Sequence, residues 1–387
     1  MKRPQPFLPL SAPAVGGNAW KYVKDCLDTG WVSSVGRYVT DFEAALVKTT
    51  GAPHAVACVN GTAALHTALN LFGIGRGDAV LVPAMTFIAT ANAVAYTGAA
   101  CVFVDCEPKR FNADMARVEE FLEKKCVRRK DGLRLKENGL RVRAFMPAHI
   151  LGYPFDLDEA QRICRRFGLL LIEDAAESLG STWRGRHCGT YGVLGALSFN
   201  GNKIVTTGGG GALITADAKL AKRAKHLTQQ AKADPFEYIH DEIGYNYRLT
   251  NILAALGVSQ LELLPKYLAQ RARIGRWYRA ELADLSVEPD DERASWNRWL
   301  LAVQASSRAE KTRVLKTLEA AGCQARPLWL PVPLQKPFKG HPSMPIPQAK
   351  RAYDTAINVP SSTTLTRAGV ARVAAVLRRA ELERALF

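Results

Sequence analysis

No apolar run in this 387-residue chain approaches the roughly 20 residues that a membrane-crossing helix needs, so no bilayer insertion is expected. The amino-terminal stretch MKRPQPFLPLSAPAVGGNAW starts basic but has no sustained apolar segment, which argues against a secretory signal. There is no CxxC pair either. The eight cysteines (Cys26, Cys58, Cys101, Cys106, Cys126, Cys164, Cys188 and Cys323) are scattered, several inside apolar runs where a free thiol acts as a small buried hydrophobe. That spacing predicts no metal site and a reduced, cytoplasmic protein. Internal repeats and low-complexity segments are absent. Acidic side chains are scarce, 36 against 52 lysines and arginines, a formal net charge of +16. A nucleic-acid partner needs basic residues interleaved with aromatics, or a recognisable binding motif. Neither is present, and no nucleic-acid partner is expected. The densest basic run, residues 124–143, is broken by Asp131-Gly132 and Asn138-Gly139, dipeptides that favour hairpin turns. It reads either as a solvated hairpin or as a face at the site mouth that attracts an anionic substrate such as a nucleotide diphosphate.

What the chain does have is ordinary globular composition, 48% hydrophobic and 23% charged residues, and enough length for a large and a small domain. Apolar strand-like runs fall at Ala55–Val59, Ala79–Val82, Cys101–Val104, Val142–Met146 and Leu169–Ile172. Helical patterns lie between them at Ala63–Leu71 and Leu157–Phe167. This alternation predicts an α/β fold with a mostly parallel central sheet sandwiched by helices, and ligands beyond the carboxyl ends of its strands. From about Asn251 the texture turns helix-rich: a long helix over Ile252–Leu282, a short strand at Trp299–Val303, a helix at Ala309–Ala321 and a Pro-rich loop at Arg326–Pro347. Residues 1–250 are read as the large domain and 251–387 as a smaller carboxyl-terminal α/β domain.

Four pieces of this chain answer to one cofactor. In LSFNGNKIVTTGGGGALIT, Lys203 sits on a turn between two strand-like runs, with Ser198 before it and Gly208 to Gly211 after it. A long side chain loses rotamer entropy on such a turn, but its amine is well placed to form a Schiff base with a bulky carbonyl cofactor. Asp174 falls just past a buried strand, where it can pair with a protonated pyridine nitrogen, and Glu177 three residues on faces the same ring's edge. Asn60-Gly61-Thr62 opens a helix, whose free amides, the Thr62 hydroxyl and Ser198 make a phosphate cradle. Phe87 follows a strand and can lie flat on a planar heterocycle. Each piece alone has a plain structural explanation: a surface turn lysine, a turn-capping aspartate, an N-capped helix, a core phenylalanine. Together they point to pyridoxal 5′-phosphate.

These motifs resemble the DegT family of sugar-nucleotide aminotransferases, which have the type I fold of pyridoxal phosphate enzymes. The similarity runs through GWVSSVGRYVTDFE, NGTAAL, PAMTFIATANA, IEDAAESLGS, SFNGNK, GYNYRLTNILAALGVSQL and ARPLW, almost the whole chain. It implies Lys203 as the Schiff-base lysine, Asp174 at the pyridine nitrogen, Phe87 as the stacking ring, and Gly61, Thr62 and Ser198 on the phosphate. It also implies that Asn246 reaches the phosphate of a neighbouring subunit's cofactor, hence a homodimer with shared active sites. Arg248 is either an anchor for a substrate carboxylate or half of a dimer-interface ion pair. Trp31, Ser33, Ser34, His149 and Arg326 are candidates for the sugar nucleotide. Arg326 is a diphosphate ligand or a surface ion pair; His149 is a substrate contact or a core histidine. Many members carry Gln or His at position 177 and Glu at 209, where this chain has Glu177 and Gly209. Deoxygenating relatives replace the lysine by histidine, so Lys203 implies amino transfer. Glutamate, released as 2-oxoglutarate, is the implied donor. ESLGS, SFNGNKIVTTGGGG and QAKADPFEYIHDEIGYNYRLTN are most similar to enzymes that aminate UDP-linked 2-acetamido-2,6-dideoxy-hexos-4-uloses for bacillosamine- and legionaminic-acid-type surface glycans. A GDP-4-keto-6-deoxymannose (perosamine-type) aminotransferase and a non-catalytic sugar-nucleotide-binding partner are the alternatives.

Overall fold

The computed structural model describes residues 6–282 and 291–382. The expected domain ends at residues 1 and 387 lie outside them. Nine strands form the central sheet: β1 (His54–Cys58), β2 (Asp78–Pro83), β3 (Ala100–Val104), β4 (Cys126–Arg129), β5 (Gly132–Leu135), β6 (Arg141–Phe145), β7 (Leu170–Asp174), β8 (Leu194–Ser198) and β9 (Gly211–Thr215). Their order is β1-β9-β8-β7-β6-β2-β3, with the β4/β5 hairpin branching from β6. Neighbours from β8 through β7, β6 and β2 to β3 are parallel, while β9 runs antiparallel to both β1 and β8. All six residues of β2 are buried, which is why Ala79–Val82 reads as a continuous apolar run rather than an alternating one.

The helices follow from local rules. In Leu157–Phe167 the buried face is Leu157, Ala160, Ile163 and Cys164. The Asp156 side chain caps its start by accepting from the Glu159 N–H at 3.0 Å, and Gly168 ends it at φ 71°. Acids in the first turn and arginines in the last agree with the helix dipole.

The expected strands and helices recur within one or two residues, with one difference that bears on the site. Asp174 is the last residue of β7 itself, in register with Ala196 of β8, rather than the start of the following turn. The basic hairpin also needs correcting. β5 pairs with Arg141 and Val142 at the amino end of β6, so the hairpin lies at the opposite end of the strands from their carboxyl ends and does not flank the mouth of its own chain's cavity.

Residues after 290 add a small antiparallel sheet of Leu301–Gln304, Ala356–Val359 and Arg326–Pro327, packed with the helices Arg308–Ala320 and Arg367–Leu382. The helix Asn251–Glu281 is the one among the described residues long and apolar enough to cross a membrane. Here it joins two cores. Ala254, Ala255, Leu261 and Leu264 pack in the layer of helix Arg37–Thr50, whereas Ile274 and Tyr278 pack with the carboxyl-terminal sheet. The boundary expected at 250/251 thus coincides with the start of a helix shared by both layers. The amino-terminal segment also crosses that boundary, with Leu8 bridging to Cys323 and the Leu10 N–H donating to Gln324 Oε1 at 2.9 Å.

Candidate active site

A cavity of about 730 Å³ opens at the carboxyl ends of the parallel strands. Its wall includes Gly61, Thr62, Phe87, Asp174, Glu177, Ser198, Lys203 and Arg326. The sheet order explains the meeting of residues far apart in sequence, because β7 and β8 are adjacent and β9 lies between β8 and β1.

Lys203 is held by its turn. The Phe199 N–H donates to Gly210 O at 2.8 Å, Thr207 N–H to Phe199 O at 2.9 Å, and Lys203 N–H to Asn200 O at 3.0 Å. Its Nζ lies 3.3 Å from Glu177 Oε1, both side chains being about one-tenth exposed. The other Glu177 oxygen accepts the Leu151 N–H at 2.8 Å. Burial pushes the Glu177 carboxyl above its ordinary value, opposed by the lysine charge. A carboxyl so poised can take a proton from the Lys203 amine and return it.

Asp174 is buried, and burial pushes its carboxyl up as well, against the pull of a Thr90 hydrogen bond. The Thr90 hydroxyl donates to Asp174 Oδ2 at 2.7 Å, and the Ala176 N–H reaches Oδ1 at 3.2 Å. Thr86 Oγ1 lies 2.8 Å from Thr90 Oγ1, extending the chain of hydroxyls behind the carboxylate.

At the cavity's other end, Asn60 caps helix Gly61–Leu71 by accepting the Ala63 N–H at 2.7 Å, leaving the first amides without intrahelical acceptors. A Cβ at Gly61 would come within 2.9 Å of Ser198 Cβ, so only glycine brings this helix start against the end of β8. Phe87 is half exposed on the cavity wall, edge-on to Trp329 with ring centroids 6.3 Å apart. A donor-rich helix start, a buried carboxylate, a free aromatic face and a lysine amine around one cavity fit pyridoxal phosphate. Gly61, Thr62 and Ser198 would hold its phosphate, Asp174 its pyridine nitrogen, and Phe87 its ring. When bound, the cofactor supplies an aldehyde for amines and a ring that accepts electron density. Gly61→Ala is expected to cost about 1–3 kcal/mol of stability by overpacking and to weaken cofactor binding about tenfold, as measured by melting and by cofactor titration.

Several expected residues are not brought to this cavity. His149 is a core histidine, not a substrate contact. Its ring is fully buried, stacked on Phe155 at 4.3 Å, and its Nε2 lies 3.1 Å from Glu173 Oε2. Trp31, Ser33 and Ser34 lie on the outer loop between helices Ala19–Thr29 and Arg37–Thr50. There Asn251 holds that loop in place, its Nδ2 donating to Trp31 O and its N–H to Ser33 O, each at 2.6 Å. Asn246 is exposed and Arg248 half-buried, on a segment bridged to Gln229 and Cys58. Neither lines the cavity of its own chain.

Thr90, Thr86, Trp299, Trp329 and Tyr353 line the cavity or back its residues without having been singled out. Thr86 and Thr90 had a local signal, two hydroxyls four residues apart flanking Phe87. Trp329 ends the ARPLW motif, whereas Trp299 and Tyr353 had no signal, since long-range folding alone brings them to the cavity.

The family model for DegT/DnrJ/EryC1/StrS aminotransferases matches residues 13–378. A GDP-perosamine synthase of Caulobacter vibrioides is 38% identical over 378 residues, covering 96% of this chain and 98% of that one. A GDP-perosamine synthase of Escherichia coli O157:H7 is 32% identical, covering 93% and 94%. The crystal structure of a DegT DnrJ EryC1 StrS aminotransferase from Brucella abortus superposes with a TM-score of 0.86 at 30% identity, covering 94% of this chain and 95% of that one. The chain therefore belongs to the DegT/DnrJ/EryC1/StrS aminotransferase family, and it is an aminotransferase whose cofactor is pyridoxal 5′-phosphate.

Proposed function

We propose that this chain transfers an amino group from glutamate to a nucleotide-linked 4-keto-6-deoxy sugar, and that the sugar is GDP-4-keto-6-deoxymannose. The observation that carries the nucleotide is the near full-length similarity to proteins named GDP-perosamine synthase. It reverses the order expected from the subgroup motifs, and the UDP-linked 2-acetamido sugar becomes the alternative. The convergence of Lys203, Glu177 and Asp174 in one cavity supports catalysis over a non-catalytic binding role.

In this scheme the Lys203 amine moves the proton between donor carbon and cofactor, with Glu177 Oε1 as its exchange partner. Asp174 keeps the pyridine nitrogen protonated. Arg326, exposed on the cavity wall, offers a planar guanidinium to paired phosphate oxygens. A homodimer with shared sites is supported by the position of Asn246, Trp31, Ser33 and Ser34 on the outer surface, away from their own cavity. Trp20, Leu27, Trp31, Val32 and Val35 add exposed apolar area beside that loop. Sedimentation at twice the chain mass is the expected result. Eight free, buried cysteines fit a reducing cytoplasmic setting.

The test is a panel of GDP- and UDP-linked 4-keto-6-deoxy sugars with glutamate, read by product mass. The GDP-linked substrate is expected to show kcat/KM at least about tenfold above any UDP-linked one, a difference of about 1.4 kcal/mol. A preference for the UDP-linked 2-acetamido sugar overturns the nucleotide assignment. Absence of any amino product overturns the activity.

A further inference from the structure

The amine of Lys203 lies against an aromatic ring as well as against the Glu177 carboxylate. Its Nζ lies 3.8 Å from the centroid of the Trp299 ring, on the indole face. Trp299 is buried and arrives from the carboxyl-terminal part of the chain, 96 positions further on.

The indole is fixed to the lysine's own turn. Trp299 Nε1–H donates to Asn202 O at 2.7 Å, the carbonyl of the residue immediately before Lys203. The same carbonyl accepts the Ser11 hydroxyl at 3.0 Å. The Trp299 backbone is held at both ends. Its N–H donates to Asn297 Oδ1 at 2.8 Å, and its carbonyl accepts the Ser361 hydroxyl at 2.9 Å together with a buried Arg271 N–H. Ring and turn therefore keep one spacing, and the lysine side chain meets an aromatic face whenever it folds back from the cavity.

We propose that Trp299 is a positioning residue for Lys203: its indole face and the Glu177 carboxylate form a two-sided seat for the ε-amino group while that group is not bonded to the cofactor. An electron-rich face attracts the protonated amine and satisfies no N–H, so Lys203 is oriented without being locked. The carboxylate on the other side takes the hydrogen bond. A long flexible side chain seated in this way loses little further rotamer freedom when it returns to the reacting carbon. Asn200 and Asn202, also on the cavity wall, would offer only dipoles in its place.

The inference rests on Lys203 being the reactive amine, and the first readout below is independent of amino transfer. Lysines of the cofactor-free full chain are reductively methylated with a ¹³C label, and Lys203 is identified by its absence in Lys203→Arg. Methyl protons over an indole face are shielded, so the Lys203 signal is expected upfield of the other lysine signals. It stays upfield in Trp299→Phe and rejoins the others in Trp299→Leu. In the holoenzyme, Trp299→Leu is expected to slow the glutamate half-reaction about tenfold while cofactor affinity stays within about twofold, and Trp299→Phe to recover most of the rate. A wild-type signal inside the common envelope overturns the proposal. So do equal losses in the Leu and Phe variants accompanied by a parallel fall in cofactor affinity, which mark simple packing. If the Leu variant does not fold, the wild-type and Phe spectra still decide.

Discussion

Replacing Lys203 with alanine is expected to remove the visible absorbance of covalently bound cofactor and to lower glutamate-dependent turnover on the order of 10⁴-fold or more. Both effects have one cause. Among the described residues lining the cavity Lys203 is the one lysine, and its amine lies against Glu177, so in this proposal it both captures the aldehyde and carries the proton. The stability cost is small by comparison. Glu177 loses its cation, but burial already pushes its carboxyl upward, and it answers the loss by taking up a proton rather than remaining a buried unpaired charge. Borohydride reduction of the loaded protein followed by peptide mapping checks the assignment. A label on any lysine other than 203 refutes it.

Asp174→Asn comes second in size. The amide keeps the shape and can still accept from Thr90, but it removes the negative charge behind the pyridine nitrogen. A fall of roughly 10²–10³ in kcat/KM is expected, the range for losing one preorganised electrostatic partner in a closed site. The same variant has a pH signature in the cofactor-free protein. Burial raises Asp174 above its ordinary 3.8, with the Thr90 hydroxyl, the Ala176 N–H and the charges of Lys203 and His149 opposing. The folded chain thus keeps this proton to a higher pH than the unfolded chain does. Folding takes up a proton in that window, and the wild type loses stability as pH rises through it. Asp174→Asn lacks the loss, so its melting temperature is expected to gain on the wild type from about pH 4 upward. A constant difference across that range would show that Asp174 is already ionised in the folded state.

Much of the architecture was legible because the sheet is buried on both faces. Its strands appear as nearly unbroken apolar runs and its crossover helices as 3.6-residue patterns, and these two periods need no tertiary information. The proposed cofactor residues, which meet at one cavity, were readable for a related reason. Gly61, Asp174, Ser198 and Lys203 sit at strand ends or helix starts, where a local motif already states which backbone groups are free and which way the chain turns. Of the candidate substrate residues, Arg326 reaches the cavity and the others do not. His149 also follows a strand, yet its partner Glu173 comes from the neighbouring strand and seats it in the core. The basic hairpin looked suited to an anionic ligand, but its pairing with the amino end of β6 sends it to the end of the strands away from the cavity.

From the order of residues alone came the α/β class, the cofactor and the proposal of Lys203 as its lysine, because each is encoded within a dozen or so neighbouring positions. Which further side chains line the cavity was decided only in three dimensions. Trp299, Trp329 and Tyr353 reach the cavity from the carboxyl-terminal part of the chain, beside the Arg326 that its motif had already marked, while Asn246 and Trp31 face outward from it. Those placements depend on how two layers pack across a shared helix, and a contact formed by packing leaves no period or spacing in the sequence to be read.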